Sequence, residues 1–78
     1  MSDYKMDING GIGLSDYSNI HDYLGVVDVE DNFIITLNNS GANEINIINS
    51  ILKHNYFCVW QEGYDEYGTY HIYSYKLK

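Results

Sequence analysis

The clearest hydrophobic pattern in the chain runs through residues 42–54 and predicts an amphipathic helix. Apolar side chains recur there at intervals of three and four residues, which places them on one face of a helix. This stripe consists of Ile45, Ile48, Ile51 and Leu52, with Ile47 at its margin. We expect the stripe to pack against a sheet, because the other positions are mostly polar.

Residues near both ends of this segment agree with a helix over Ala42–His54. Ser40 is predicted to be the N-cap, and the Glu44 carboxylate suits the positive end of the helix dipole. Lys53 and His54 suit the negative end. Asn55 is predicted to take the left-handed cap conformation.

Two runs of aromatic and β-branched residues after this helix predict strands at residues 56–62 and 69–77. The stretch GYDEYG connects them, so we expect a hairpin. Both alternating faces of the second run carry aromatic side chains. One face is expected to meet the helix. The other is expected to form a tyrosine-rich surface or to be covered by the N-terminal segment.

Two shorter apolar runs, at residues 26–29 and 33–37, predict an earlier hairpin. Glu30, Asp31 and Asn32 separate the runs and are typical turn residues. The stretch NNSG, at residues 38–41, is expected to end the second run. Before these runs, YKMDI is interpreted as a short edge strand and NGGIG, at residues 9–13, as a turn.

A short helix is predicted at residues 15–24, between the NGGIG turn and the earlier hairpin. Its apolar face consists of Tyr17, Ile20 and Leu24. Ser15 or Asp16 is expected to cap its N-terminus, and Gly25 is expected to end it.

Together these elements predict one domain over residues 1–78 with an α+β fold. Its core is an antiparallel sheet of four or more strands, built from the two hairpins, with the main helix on one face. A chain of this length buries only roughly 60–65% of the surface that it exposes when unfolded. We expect such a core to be just sufficient to stabilise a folded monomer. A homodimer that covers the aromatic sheet face is an alternative.

The charge of the chain indicates the class of its partner. Eleven Asp and Glu residues stand against four Lys and no Arg, which gives a net charge of -7. Such a surface repels phosphates and anionic lipid headgroups, so we expect no direct nucleic-acid or membrane partner. We expect a basic protein partner instead, although ordinary solubility charge is the alternative.

The single cysteine, Cys58, excludes an intramolecular disulfide and indicates a reducing compartment. The start of the chain lacks the pattern of a secretory signal, and its longest apolar run, FIITL, is far below the ~20 residues that span a bilayer. We therefore predict an intracellular, cytoplasmic location. Cys58 itself is interpreted as a buried residue of a strand.

The motifs of catalysis and of metal binding are weak in this sequence. We find no nucleophile beside a base, no phosphate-binding glycine loop and no EF-hand pattern. The spacing of His54 and Cys58 gives one weak metal-ligand pair. We predict a protein that is not an enzyme and that holds no cofactor or metal.

Carboxylates and tyrosines concentrate in the two predicted hairpin turns. The first group is Asp28, Glu30 and Asp31, and the second is Glu62, Tyr64, Asp65, Glu66 and Tyr67. Tyrosine supplies rigid contact area, and carboxylates pair with Lys and Arg on a basic partner. We interpret these residues as the partner-binding set, with solvated turns as the alternative. Exposed turn charges of this kind are expected to be replaceable without harm to the fold.

In its general features the chain resembles bacteriophage anti-defence proteins of the anti-CRISPR type. The shared features are the small size, the acidic α+β make-up, the lack of Arg and Pro, and the abundance of Asn, Ile and Tyr. This resemblance implies a non-enzymatic inhibitor that acts in the cytoplasm of a bacterial host. Its carboxylates, here Glu62, Asp65 and Glu66, would lie where phosphates lie in a CRISPR–Cas or related nuclease effector. An immunity protein that neutralises a nuclease toxin is one alternative. A homodimeric structural or regulatory module, with Tyr70, Tyr73 and Tyr75 buried between two copies, is the other.

Overall fold

A computed structural model describes residues 3–11, 13–38 and 41–78 of the chain. It contains four strands and two helices in an α+β arrangement, which confirms the predicted fold class. In chain order these elements are β1 (Asp3–Asn9), α1 (Leu14–Val26), β2 (Asn32–Asn38), α2 (Ala42–His54), β3 (Phe57–Tyr64) and β4 (Tyr70–Lys76).

The sheet has the strand order β1-β2-β4-β3, with β1 and β3 at its edges. β4 pairs antiparallel with β2 and with β3, whereas β1 pairs parallel with β2. The prediction of a purely antiparallel sheet is therefore wrong at the β1–β2 pair. The two strands run in the same direction because α1 connects them. A helix between two neighbouring strands returns the chain to the end at which the first strand began.

The predicted earlier hairpin does not form, because residues 26–29 are not a strand. Val26 is the last residue of α1, and Val27 is its buried C-cap. Val29 makes only an isolated parallel bridge to Lys76. A short run of valines fits a buried helix end as well as a strand, so the pattern alone could not separate the two structures.

Helix α1 extends beyond its predicted limits at both ends. Its N-cap is Gly13, and Asp16 lies at the third helical position, where its carboxylate accepts a hydrogen bond from the Gly13 N–H at 2.9 Å. Neither Ser15 nor Asp16 is thus the N-cap residue itself. Gly25 lies inside the helix rather than ending it. Asp16 still stabilises the N-terminus, in the manner of a capping box.

The C-terminus of α1 is capped from the sheet. The last turn of this helix contains no basic residue. The Lys76 ammonium, on β4, donates to the backbone carbonyls of Val27 at 3.0 Å and Leu24 at 3.5 Å. A cation at these carbonyls stabilises the negative end of the helix dipole and ties α1 to the sheet.

Helix α2 has the predicted bounds, Ala42–His54. Its N-cap is Gly41, and Ser40, the predicted cap, lies outside the described residues. The predicted left-handed cap at Asn55 is wrong, because Asn55 has φ -107° and Tyr56 instead has φ 63°. The Asn55 side chain donates to the Ile51 carbonyl at 2.8 Å, which holds Asn55 against the last turn.

Both helices pack on the same face of the sheet. Ile20 of α1 and Ile48 and Leu52 of α2 are fully buried in one cluster with residues of all four strands. The strand residues in this core are Met6, Ile8, Phe33, Ile35, Leu37, Phe57 and Ile72. Alternate side chains of a strand point to opposite faces, so the strand positions that alternate with these, such as Thr36 and Tyr73, face away from the helices.

Candidate functional site

The second predicted turn follows β3, and Asp65 holds it in place. Its Oδ1 accepts hydrogen bonds from the backbone N–H of Tyr67 at 2.8 Å and of Thr69 at 3.0 Å. Gly68, at φ 80°, supplies the left-handed residue of the turn. Asp65 therefore closes the β3–β4 hairpin, which confirms the predicted hairpin and gives this carboxylate a structural role.

The other carboxylate oxygen of Asp65 lies 2.8 Å from Nε2 of His71. His71 Nδ1 in turn lies 3.3 Å from the Thr36 hydroxyl on β2. A carboxylate only accepts hydrogen bonds, so Nε2 carries a hydrogen. The hydrogen bond from His71 is the main reason that the pKa of Asp65 is lowered, and Asp65 stays ionised at neutral pH.

Glu62 lies on the helix side of the sheet and is tied there. Its carboxylate accepts a hydrogen bond from the Tyr70 hydroxyl and another from the Asn49 amide of α2 at 3.2 Å. Burial and then the hydrogen bond to Glu62 raise the pKa of Tyr70 to about 12. Tyr70 therefore does not share a sheet face with Tyr73 and Tyr75, contrary to the grouping expected for a homodimer.

The remaining residues of this turn are exposed. Tyr67 is 84% exposed, Tyr64 is 64% exposed, and Glu66 is exposed as well. The Tyr64 ring makes an edge contact with the Tyr70 ring at 4.8 Å between centroids. Of the three carboxylates predicted here, Glu62 and Asp65 accept hydrogen bonds that hold the local structure, whereas Glu66 is exposed in the turn. We therefore expect Glu66, but not Asp65, to be replaceable without harm to the fold.

The first predicted acidic group lies at the opposite end of the sheet. Asn32, which directly follows Asp31, begins β2 and pairs with Tyr75. Asn38, at the other end of β2, accepts a hydrogen bond from the Thr69 hydroxyl beside the second turn. A seven-residue strand is roughly 20 Å long, so the two groups cannot form one contact patch around a single turn.

Only part of the first group is available to a partner. Asp31 is buried, at 7% exposure, and its carboxylate accepts a hydrogen bond from the Asp28 N–H at 3.1 Å. Asp28 and Glu30 are exposed, and Glu30 takes φ 74°. The prediction of Asp31 as an exposed contact residue is therefore wrong, since its carboxylate shapes the loop before β2.

The sheet face away from the helices, here called the open face, carries a row of aromatic rings. Trp60 lies 5.4 Å from Tyr73 between ring centroids, and Tyr73 lies 6.3 Å from His71. Tyr75 continues the row beside Cys58, its cross-strand partner. The hydrogen bond with Cys58 is the main reason that the pKa of Tyr75 is raised. Cys58 lies in β3, as predicted, but it is half-buried rather than buried.

A cleft opens on this face above Gly63. The Gly63 cleft is lined by residues 61–65 together with His71 and Tyr73, and its volume is about 200 Å³. A second hollow of about 580 Å³ lies between α2 and β3. Tyr73 and Tyr75 form the tyrosine-rich face that the alternation in β4 predicted. The place of Trp60 in the row and the Gly63 cleft could not be found from sequence, because a bulge at Trp60 decides which side chains of β3 face this way.

No group of three or more His, Cys, Asp and Glu side chains within the described residues is placed to hold a metal ion. In the same part of the chain, no helix is long and apolar enough to cross a membrane. Comparison of the chain with protein-family models, with curated proteins and with solved structures finds no match.

Proposed function

We propose that this protein is a non-enzymatic inhibitor that binds a basic, nucleic-acid-binding surface of a CRISPR–Cas or related nuclease effector through its open face. The aromatic row supplies the contact area, and the carboxylates around it supply the attraction. The partner's bound nucleic acid and this protein then compete for the same surface.

The observation that carries the proposal is the exposure of large aromatic rings on a sheet face that the helices leave uncovered. Trp60 is 53% exposed, and the rings of Tyr73 and Tyr75 are half-buried beside it. Trp and Tyr are the side chains most enriched in the energetically dominant parts of protein interfaces. Packed against one another, these rings lose little conformational freedom on binding, which favours affinity.

The charges near the open face favour a basic partner. Asp3 and Asp7 are exposed on β1 and alternate with the buried Met6 and Ile8, so they point to the open face. Glu66 is exposed in the turn at the end of β3. The negative electrostatic field of these carboxylates speeds the approach of a positively charged protein.

Two of the four lysines are directed away from the open face, so the electrostatic potential of this face is more negative. Lys76 caps α1 on the helix side, and Lys53 lies in the last turn of α2. Lys5 lies on β1 between Asp3 and Asp7 and leaves that edge with a net negative charge. The carboxylates thus dominate the field that a partner meets at this face.

A second function, a homodimeric module, is favoured by the same aromatic row. Two copies that stack their open faces would bury Trp60 and Tyr73 without any other partner. Sedimentation equilibrium over a range of concentrations separates the two functions. An inhibitor is expected to be a monomer when alone, and a dimerisation module is expected to be a dimer at low micromolar concentration.

A pull-down from a bacterial lysate tests the inhibitor proposal. The tagged protein is incubated at low and at high salt with lysate from which nucleic acid has been digested. We expect a nucleic-acid-binding protein to be retained at low salt and released at high salt, because screening weakens attraction between opposite charges. Recovery of the tagged protein alone would count against the proposal.

Two variants locate the contact in that pull-down. Trp60→Ser removes the most exposed ring of the aromatic row, and retention of the partner is expected to fall by roughly tenfold or more. Leu14→Ser is the matched control, since Leu14 is 86% exposed but lies at the start of α1. Equal retention by both variants would place the contact elsewhere on the protein.

A further inference from the structure

We infer that the Gly63 cleft binds the guanidinium group of an arginine side chain of the partner. This inference rests on the proposed function, because it names the group that the open face recognises on a basic protein. The cleft combines an ionised carboxylate, an aromatic wall and a glycine floor within about 200 Å³.

The Asp65 carboxylate has one acceptor position left for a ligand. Each carboxylate oxygen has two lone pairs. Oδ1 uses both for the N–H groups of Tyr67 and Thr69, whereas Oδ2 accepts from one donor among the described residues, His71. The Asp65 side chain is 32% exposed. These three hydrogen bonds hold the carboxylate in one orientation, so little freedom is lost when it accepts a fourth.

The walls of the cleft suit a flat cation. Tyr73 is held between Trp60 and His71 by ring contacts, so its π face keeps one orientation. A guanidinium over such a ring gains a cation–π attraction. Gln61, on the strand beside it, offers an amide oxygen as a second acceptor. Two acceptors at different points match the forked donors of arginine better than the single ammonium of lysine.

Gly63 provides the space for the ligand. It pairs with His71 across the hairpin, so a side chain here would point into the cleft. A Cβ built at Gly63 meets no heavy atom within 4 Å, and its φ lies outside the left-handed region. Glycine is therefore not needed here for the backbone conformation, and a larger residue would fill the cleft without straining the strand.

Titration with the peptide acetyl-Gly-Arg-Gly-amide, followed by two-dimensional NMR of the ¹⁵N-labelled protein, tests this inference. We expect saturable shifts of the amides of Gly63 and His71. The same peptide with citrulline, which has the shape of arginine without its charge, is expected to bind roughly tenfold more weakly or worse. Equal binding of the citrulline peptide or of a lysine peptide would overturn the assignment to a guanidinium.

The variant Gly63→Val fills the cleft and is expected to weaken binding of the arginine peptide by roughly tenfold or more. Its fold is expected to persist, since valine is a better strand residue than glycine. Gly25→Ala is the matched control, because Gly25 also has free space around it but lies in α1. Unchanged binding to Gly63→Val would overturn the inference.

The two proposals fail in different ways. If the pull-down retains a basic partner but the arginine peptide shifts no cleft residue, the inhibitor proposal stands and the cleft inference is wrong. If the peptide binds in the cleft but no nucleic-acid-binding partner is retained, the cleft is a guanidinium site and the proposed function is wrong.

Discussion

The Nε2 atom of His71 lies 2.8 Å from an oxygen of Asp65, and this contact joins the β3–β4 turn to the open face. Asp65 shapes the turn through its other oxygen, and His71 belongs to the row of rings that includes Tyr73. The position of the exposed turn residues and the shape of the Gly63 cleft thus depend on the same carboxylate.

Asp65→Asn is expected to lower the stability of the protein at neutral pH. The substitution removes the negative charge that three hydrogen bonds stabilise. An amide at this position also places an N–H group near donors that need an acceptor. The midpoint of urea unfolding is therefore expected to fall, while Glu66→Gln, in the same turn, is expected to leave it nearly unchanged.

The effect of Asp65 is expected to depend on pH. Its pKa in the folded protein is lowered from 3.8, so its contribution to stability is complete above that value and is lost as pH falls through the folded pKa. Urea midpoints of wild type and Asp65→Asn should differ at pH 7 and converge in acid, as pH falls below the folded pKa of Asp65. A difference that stays constant down to acid pH would show that the charge of Asp65 does not stabilise the fold.

Tyr70 is expected to ionise well above pH 10. Its pKa is raised from 10.0 to about 12, so its neutral form contributes stability that is complete below pH 10 and is lost as pH rises towards 12. Ultraviolet absorbance of phenolate, read directly after a pH jump, measures this step. Tyr70→Phe should remove the step, and Glu62→Gln should shift it to lower pH. The step should persist in Tyr67→Phe, and its survival in Tyr70→Phe would contradict the assignment.

Lys76→Met is expected to destabilise the fold by about 1–3 kcal/mol, because the helix carbonyls of α1 lose a charged donor. Lys5→Met is the matched control, since it removes the same charge from an exposed position of β1. The control should change the free energy of unfolding by less than about 0.5 kcal/mol. Chemical denaturation of both variants checks the prediction, and equal losses would show that net charge, rather than the cap, is responsible.

Ile48→Ala is expected to cost roughly 2–5 kcal/mol, because it leaves a cavity beneath α2. Such a loss is a large part of the stability of a small domain, so the variant is expected to be close to unfolding at room temperature. Ile47→Ala tests the same chemistry one position earlier, where the side chain is 37% exposed, and should cost less than about 1 kcal/mol. Similar midpoints for the two variants would contradict the packing of α2 described above.

Elements with a long, regular pattern could be predicted from the sequence. The stripe in α2 repeats over thirteen residues, and both strands of the last hairpin are rich in aromatic side chains, so their bounds differ from the structure by at most two residues. The parallel pairing of β1 with β2 could not be predicted, because it depends on how α1 crosses the sheet rather than on either strand's own pattern.

The candidate site could be predicted in composition but not in arrangement. The strand register shifts between Val59 and Gln61, and this bulge reverses the alternation of the residues that follow. Glu62 consequently points to α2, whereas Gln61 and Gly63 face the open side. Charge and residue type therefore predicted an acidic, tyrosine-bearing turn, but the separation of Glu62 from Asp65 arises from one extra residue in the strand.

In the proposed function, this protein and nucleic acid compete for one basic surface of the partner. The most direct measurement is the fluorescence anisotropy of a labelled nucleic acid bound to the partner that the pull-down retains, titrated with wild-type protein. We predict that the anisotropy falls to the value of the free nucleic acid, and that Trp60→Ser requires a much higher concentration for the same fall. A ternary complex, in which the anisotropy rises or stays constant while this protein binds, would contradict the claim.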